Sequence, residues 1–186
     1  MKEDALLDAP ASAYDMGHAV EAENLATFAV LVDNEPGVLH RVVGLFAARG
    51  YNIDSLTVAE TDRGTHTSRI TIVTRGTPNI LAQIEAQLQK LVCAKRVQDV
   101  TKDPNGVERE LALVKVRGSG AERAEALRLA DIFRARVIDT TTASFIFEVT
   151  GASSKIDKFV GLMRPLGLVE VSRTGVLSIE RGAETP

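Results

Sequence analysis

A chain of 186 residues accommodates one or two small domains, and a hydrophobic content of 45% is sufficient to fill their cores. A net charge of −3 and an isoelectric point of about 5.7 argue against a protein that binds nucleic-acid backbones through a basic stripe. No apolar run reaches the ~20 residues of a membrane span, the acidic N-terminus lacks a signal-peptide pattern, and the single cysteine excludes an internal disulfide framework. We therefore expect a cytoplasmic protein with no membrane span.

The first half of the chain predicts the element order β-α-β-β-α-β. Residues 1–24 show no sustained hydrophobic period and are predicted to form a mobile tail. The predicted elements that follow are a strand over 28–32, a helix from Val38 to a Gly50 cap, a strand over 53–58, a hairpin turn at 61–64, a strand around Ile70 and Ile72, a helix capped by Thr77, and a strand containing Val97 and Val100. Because the apolar alternation slips between Ile53 and Leu56, a bulge is expected there.

The second half repeats this order after a linker expected at residues 103–107. Its predicted elements are a strand over 111–116, a helix over 121–135 with Leu127, Ala130 and Phe133 on one face, strands at 137–138 and 145–149, a helix opened by a capping box at 154–157, and strands at 168–172 and 176–179. We therefore predict an α+β protein with two tandem ferredoxin-like βαββαβ domains, over residues 25–102 and 108–182, and a short tail at 183–186.

The sequence contains no recognisable catalytic or metal-binding constellation. The loop Gly118-Ser119-Gly120 has Arg123 where a dinucleotide-binding motif needs its third glycine, and phosphate-binding and metalloprotease motifs do not occur. The three histidines fall in the tail, on the exposed side of a helix and at a hairpin tip, and Cys93 is expected to be a buried thiol. The third predicted strand has no aromatic residue on which RNA bases would stack. These absences favour a non-catalytic protein that binds neither metal nor nucleic acid.

The turn at residues 33–37 has the properties of a binding site for a small zwitterion. A strand ends at Val32 and a helix begins near Gly37, so the first N–H groups of that helix lack intrahelical acceptors and carry the positive end of the helix dipole. A carboxylate is favoured there by roughly 0.3–1 kcal/mol from the dipole alone. Gly37 lets a ligand approach the backbone, and the side-chain amide of Asn34 can accept a hydrogen bond from an ammonium.

A purely structural interpretation of the same residues is equally compatible with the sequence. In that interpretation Asn34 is only the N-cap of the helix, and Gly37 is only a steric convenience. Likewise, Asn52 is only a residue at the start of a strand, and Ile53 is only part of the core. The physics of the turn alone does not separate the two interpretations.

A resemblance to a known family bears on this choice. The run VDNEPGVLHRV at residues 32–42 resembles the ligand loop of an ACT domain. Its continuation GLFAARGYNIDSLTV at residues 44–58 resembles, more narrowly, the regulatory small subunit of acetohydroxyacid synthase, also called acetolactate synthase. VERELALVKV at 107–116 and SRTGV at 172–176 resemble the two ends of that family's C-terminal domain. The resemblance spans about residues 26–182, although the N-terminal tail is longer than the family minimum and His40 stands where a small hydroxyl residue is common.

The resemblance implies a non-catalytic regulatory subunit that binds the catalytic large subunit of acetolactate synthase and raises its activity. It implies allosteric feedback inhibition by valine in the synthesis of valine, leucine and isoleucine. It places thiamine diphosphate and magnesium on the catalytic partner and leaves open whether that partner also holds FAD. It further implies a homodimer through the ACT domains with valine at the interface. The implied effector-binding residues are Asn34, Gly37, Val38 and Leu39 from one protomer and Asn52 and Ile53 from the other.

Two other functions are compatible with the same fold. A stand-alone ACT-type amino-acid sensor would use the same site without an enzyme partner and would purify alone. A small enzyme on a ferredoxin-like scaffold would show turnover by the isolated chain. Leucine or isoleucine as the preferred effector also stays open, because one methylene changes the discrimination of a pocket by only ~1–3 kcal/mol. The sequence does not indicate which surface meets the catalytic subunit.

Overall fold

Two antiparallel sheets, each carrying two helices on one face, form the part of the protein that the computed structural model describes, residues 22–102 and 106–181. Most of the predicted N-terminal tail, residues 103–105 of the predicted linker and the predicted C-terminal tail lie outside these ranges. The predicted α+β class and the repeated ferredoxin-like order are confirmed. The predicted domain boundaries stay predictions.

The first half forms a four-stranded sheet with the strand order β2-β3-β1-β4. Its elements are β1 (Asn24–Asp33), α1 (Val38–Arg49), β2 (Ser55–Asp62), β3 (Thr67–Gly76), α2 (Pro78–Gln89) and β4 (Ala94–Asp99). Alternate residues of β1 and β3, among them Phe28, Val30 and Ile72, point toward the helices and are fully buried. The two helices close this core with the buried residues of their apolar stripes, Phe46 on α1 and Ile84 on α2 among them.

The second half repeats this path as β6-β7-β5-β8, with a short additional strand paired to β5. Its elements are β5 (Val107–Arg117), α3 (Gly120–Phe133), β6 (Arg136–Thr140), β7 (Ser144–Gly151), α4 (Ser153–Met163), β8 (Leu168–Arg173) and β9 (Leu177–Ile179). Phe145, Phe147 and Val149 alternate into the core as predicted, and Phe147 packs edge-on against Phe159 of α4 with ring centroids 6.0 Å apart.

Two predictions about the strands of the first half are wrong. The bulge lies between Glu60 and Asp62 rather than after Ile53, because β2 begins only at Ser55 and the slip in alternation falls in the preceding loop. Val100 is not part of the last strand but begins a 3-10 turn, Val100–Lys102. The side chain of Asp99 accepts from the Thr101 N–H at 3.1 Å, a local hydrogen bond that ends the strand.

Two predictions about the helices of the second half also need correction. On α3 the buried residues are Ala126, Leu129 and Ala130, whereas Leu127 is 37% exposed. The apolar stripe that includes Phe133 therefore begins at Ala126 and not at Leu127. The predicted capping box is absent, because the N-cap of α4 is Ala152, whose side chain cannot accept a hydrogen bond. The backbone carbonyl of Ala152 accepts from two N–H groups of the first turn instead.

Candidate functional site

The start of α1 is an open helix N-terminus. Its N-cap is Gly37, in the left-handed conformation with φ 86°, and no side chain caps the helix. The first intrahelical bond is donated by the Arg41 N–H to the Gly37 carbonyl at 3.1 Å. Within residues 22–102 and 106–181, no group accepts a hydrogen bond from the backbone N–H groups of Gly37, Leu39 and His40. These three donors and the positive end of the helix dipole favour an anionic group at this point.

Asn34 is not the helix N-cap, so that part of the purely structural interpretation is wrong. Its backbone N–H donates to the carbonyl of His66 at 2.7 Å, which fastens the turn to the β2–β3 hairpin. Its side-chain Nδ2 donates to Glu60 Oε1 at 3.3 Å. Because the amide nitrogen is directed at Glu60, the Asn34 Oδ1 atom is left as an acceptor beside a carboxylate. This pair is chemically suited to an ammonium group.

The carboxylate of Glu60 is the only acidic group that the structure places on the Asn34 side chain within the described residues. Arg63 Nε lies 3.9 Å from Glu60 Oε2, but the Arg63 side chain is 95% exposed and neutralises Glu60 weakly. Asp33, which precedes Asn34 at the end of β1, is already paired with Lys95 Nζ at 2.8 Å. The site therefore combines hydrogen-bond donors at the helix start with negative charge on the edge strand β2.

Asn52 and Ile53 lie beyond the other end of α1, which closes at Gly50 with φ 69°. Asn52 Nδ2 donates to Asp54 Oδ1 at 2.8 Å, and the Asn52 carbonyl accepts from Thr74 Oγ1 at 2.6 Å. Ile53 is half-buried and packs against the core. These contacts fix the backbone of the loop that precedes β2, and they are compatible with both interpretations of Asn52.

The structure does not bring the two groups of predicted site residues together within one chain. The 12 residues of α1 separate them, a length of about 18 Å at the usual helical rise. A single small amino acid cannot span that distance. Asn34 and Asn52 can therefore contact one ligand only if they come from different copies of the chain.

The structure also sharpens the roles of individual residues in the turn. Val38 is 5% exposed and points into the core, and its N–H donates to the Glu35 carbonyl at 3.3 Å. Val38 therefore holds the turn in place and does not itself face a ligand. Leu39 is 42% exposed and is available to an apolar ligand group. His40 was not among the predicted site residues, although its N–H is one of the first-turn donors that the sequence predicts to lack an acceptor. Sequence reasoning also missed Glu60, for which the sequence offers no signal because the contact joins residues 26 positions apart.

Other kinds of site find no support in the described residues. No group of three or more His, Cys, Asp or Glu side chains among them is arranged to hold a metal ion. In the same ranges no helix has the length and apolar character that a membrane crossing requires. Cys93 is buried as predicted, in the turn between α2 and β4.

Comparison with known proteins assigns both halves of the chain. The family described as "AHAS small subunit-like ACT domain" matches residues 28–93, and the family described as "Small subunit of acetolactate synthase" matches residues 109–182. A relative from Archaeoglobus fulgidus named "Probable acetolactate synthase small subunit" is 47% identical over 84% of this chain and 96% of its own length. The chain belongs to the acetolactate synthase small-subunit family.

Two further members support this assignment. The "Acetolactate synthase isozyme 3 small subunit" of Escherichia coli is 47% identical over 82% of this chain and 93% of its own length. The crystal structure of the acetolactate synthase small subunit from Thermotoga maritima superimposes with a TM-score of 0.77 at 38% identity, covering 87% of this chain and 99% of that one. Membership of this family therefore extends over both sheets, and the resemblance seen in the sequence is confirmed.

Proposed function

We propose that this chain is the regulatory subunit of an acetolactate synthase, that it binds and activates the catalytic large subunit, and that it confers feedback inhibition by valine. The observation that carries the proposal is the open start of α1, where three backbone N–H groups have no acceptor within the described residues. Family membership supplies the enzyme, since the relatives are named as its small subunits. The proposed setting is the cytoplasm, and thiamine diphosphate, magnesium and any FAD would reside on the catalytic partner.

The proposed site assigns each part of valine to a group on the protein. The α-carboxylate binds the N–H groups of Gly37, Leu39 and His40, where the helix dipole adds roughly 0.3–1 kcal/mol. The ammonium binds Asn34 Oδ1 and the carboxylate of Glu60. The isopropyl group contacts the exposed side chain of Leu39. Val38 supports the turn from the core side.

Asn52 and Ile53 of a second protomer complete this proposed site. Two observations support a homodimer of ACT domains. The length of α1 keeps the two residue groups apart within one chain. In addition, β2 is an edge strand, and its Val58 is 45% exposed. An exposed apolar edge strand is suited to pairing with a second copy. Valine would then stabilise one dimer arrangement relative to another. The size of this stabilisation is limited by the difference between the affinities of the two arrangements for valine.

Reconstitution tests the proposal directly. The purified chain is mixed with an acetolactate synthase catalytic subunit, and acetolactate formation is measured with and without valine. We expect co-elution of the two chains, a higher rate than the catalytic subunit shows alone, and inhibition by valine. A chain that elutes alone but binds valine is the stand-alone sensor instead. Parallel titrations with leucine and isoleucine establish which branched-chain amino acid is preferred.

Glu60→Gln is expected to raise the valine concentration for half-maximal inhibition by about tenfold. The substitution keeps the shape of the side chain and removes the charge that faces the ammonium, and a hydrogen bond to a charged group contributes ~1.5 kcal/mol, equivalent to about tenfold. The measurement is a valine titration of acetolactate formation, with binding followed by calorimetry.

Asp33→Asn is the matched control for Glu60→Gln. It removes a carboxylate one residue from Asn34, but one that is already paired with Lys95. We expect less than a threefold change for this variant. The 2-oxo acid with the carbon skeleton of valine has no ammonium, so Glu60→Gln should not weaken its binding. Equal effects of the two substitutions on valine would contradict the role assigned to Glu60.

A further inference from the structure

The helix-free face of the first sheet is crossed by residues 174–180, the segment that follows β8, which we call the C-terminal arm. On β2, Thr57 Oγ1 donates toward the carbonyl oxygens of Thr174 and Val176, at 3.2 and 3.3 Å. In the reverse direction the Val176 N–H donates to Ser55 Oγ at 3.2 Å. Two hydroxyl groups on one strand therefore attach the arm to the first sheet.

The arm approaches β2 so closely that a residue larger than glycine at the crossing point would have to displace a side chain of β2. Gly175 has φ +81°, in the left-handed region that side chains disfavour. A Cβ atom there would clash with Ser55 Oγ and would lie 2.9 Å from Thr57 Oγ1. The next residue, Val176, is 8% exposed. The contact is thus buried and close-packed rather than a chance touch of a surface segment.

The far end of the arm is fastened to both halves of the chain. Arg69 Nη2 on β3 donates to the Ser178 carbonyl at 2.8 Å. Burial lowers the pKa of Arg69, and the charge of Glu180 opposes that shift. The strand β9 lies within the arm and pairs with the start of β5, where Arg109 lies opposite Leu177. The arm therefore links the first sheet to the second sheet directly.

Beside the arm, the two halves enclose a cleft of about 740 Å³. The first half contributes Asp54 and Arg75 to its walls, and the second half contributes Glu108 and Arg173. The arm spans the boundary next to this space, so its contacts help to set the orientation of the two halves.

The site of arm attachment is adjacent to the second group of proposed effector residues. Ser55 follows Asn52 by three positions, and the intervening Asp54 accepts from Asn52 Nδ2 at 2.8 Å and from Arg75 Nε at 2.7 Å. We propose that the C-terminal arm conveys occupancy of the effector site to the second domain, with Ser55 and Thr57 as the positioning residues that hold it. This inference rests on the proposed function, whose valine site it extends.

The proposed coupling requires the arm contacts to have two arrangements, of which the structure shows the attached one. A ligand that moves the loop around Asn52 also moves the start of β2, and with it the hydroxyl groups of Ser55 and Thr57. Close packing at Gly175 prevents a gradual adjustment, so the arm either keeps its hydrogen bonds or leaves them. Small displacements at an effector site are amplified in this way when the packed contact is bistable. The second domain would then follow the arm through β9.

The experiment separates valine binding from valine inhibition. Thr57→Val removes the hydroxyl group without changing the shape of the side chain, and Gly175→Ala introduces the Cβ that the contact excludes. Thr61→Val is the matched control, because Thr61 lies on the same strand and its hydroxyl donates to the Thr67 carbonyl rather than to the arm. Each variant is reconstituted with the catalytic subunit, the dissociation constant for valine is measured by calorimetry, and maximal inhibition is measured by acetolactate formation.

We expect Thr57→Val to bind valine within about threefold of the wild type while its maximal inhibition falls by at least half, and Thr61→Val to retain both. Full inhibition in both Thr57→Val and Gly175→Ala would overturn the inference. So would a loss of valine binding as large as the loss of inhibition, since the arm would then only support the site. If the wild-type holoenzyme neither binds valine nor is inhibited by it, the proposed function itself is contradicted. That outcome is distinguishable from a failure of the inference about the arm, in which the wild type responds to valine and the variants do as well.

Discussion

Gly37→Asp is expected to relieve inhibition by valine, raising the valine concentration for half-maximal inhibition by about a hundredfold. The new carboxylate would lie at the positive end of α1, accept from the N–H groups intended for the effector and repel the effector carboxylate. Losing two charge-assisted hydrogen bonds, at ~1.5–3 kcal/mol each, costs at least ~3 kcal/mol, which exceeds the ~2.7 kcal/mol that corresponds to a hundredfold change. The measurement is a valine titration of the reconstituted enzyme, accompanied by calorimetry on the small subunit.

The control for this substitution is Gly37→Asn. Asn has the shape of Asp without its charge, and both residues tolerate the left-handed conformation that Gly37 adopts at φ 86°. A Cβ at this position meets nothing within 4 Å, so neither variant is expected to disturb the packing. Gly37→Asn should weaken valine by a smaller factor than Gly37→Asp. A Gly37→Asp enzyme that stays as sensitive to valine as the wild type would place the effector site elsewhere.

The repeated fold was predictable because its signals are local. The turn residues Gly50 and Thr77-Pro78 delimit helices through their own backbone preferences, and the structure places Gly50 at the C-cap of α1 and Thr77 at the N-cap of α2. The alternation of Phe145, Phe147 and Val149 assigns one face of β7 to the core. Each of these inferences needs only residues a few positions apart. The same reasoning failed at Leu127, where two overlapping helical stripes compete and only the packed structure chooses between them.

The candidate site was predictable only in the part that one turn defines. The orphan N–H groups around Gly37 follow from helix geometry. The contact between Asn34 and Glu60 depends on how β2 returns along the sheet, and the contact between Thr57 and Val176 joins residues 119 positions apart. Long-range side-chain pairs of this kind leave no periodic signal in a single sequence. The charge at the ammonium position and the arm across the sheet therefore required the structure.

Arg173→Met is expected to destabilise the chain by about 3 kcal/mol. Arg173 donates through Nε and Nη2 to the two carboxylate oxygens of Glu110, each at 2.7 Å, and through Nη1 to Asp157 at 2.7 Å. The hydrogen bonds to Glu110 raise the pKa of Arg173. The Glu110 side chain is only 5% exposed, so removing the guanidinium leaves a buried carboxylate without a cation. Breaking a buried pair in this way costs ~3–5 kcal/mol, and the partial exposure of Arg173 places the value at the lower end.

Arg128→Met is the matched control, because Arg128 pairs with Glu125 on the exposed surface of α3 and such pairs contribute ~0–1 kcal/mol. Urea unfolding at one protein concentration compares the free energies of unfolding. Adding Glu110→Gln to Arg173→Met should restore part of the lost stability, since the orphaned charge is then gone; no restoration would contradict the proposed cause.

Arg173 also ends β8, immediately before the C-terminal arm. Arg173→Met should therefore loosen the base of the arm and lower maximal inhibition by valine, whereas Arg128→Met should leave it unchanged.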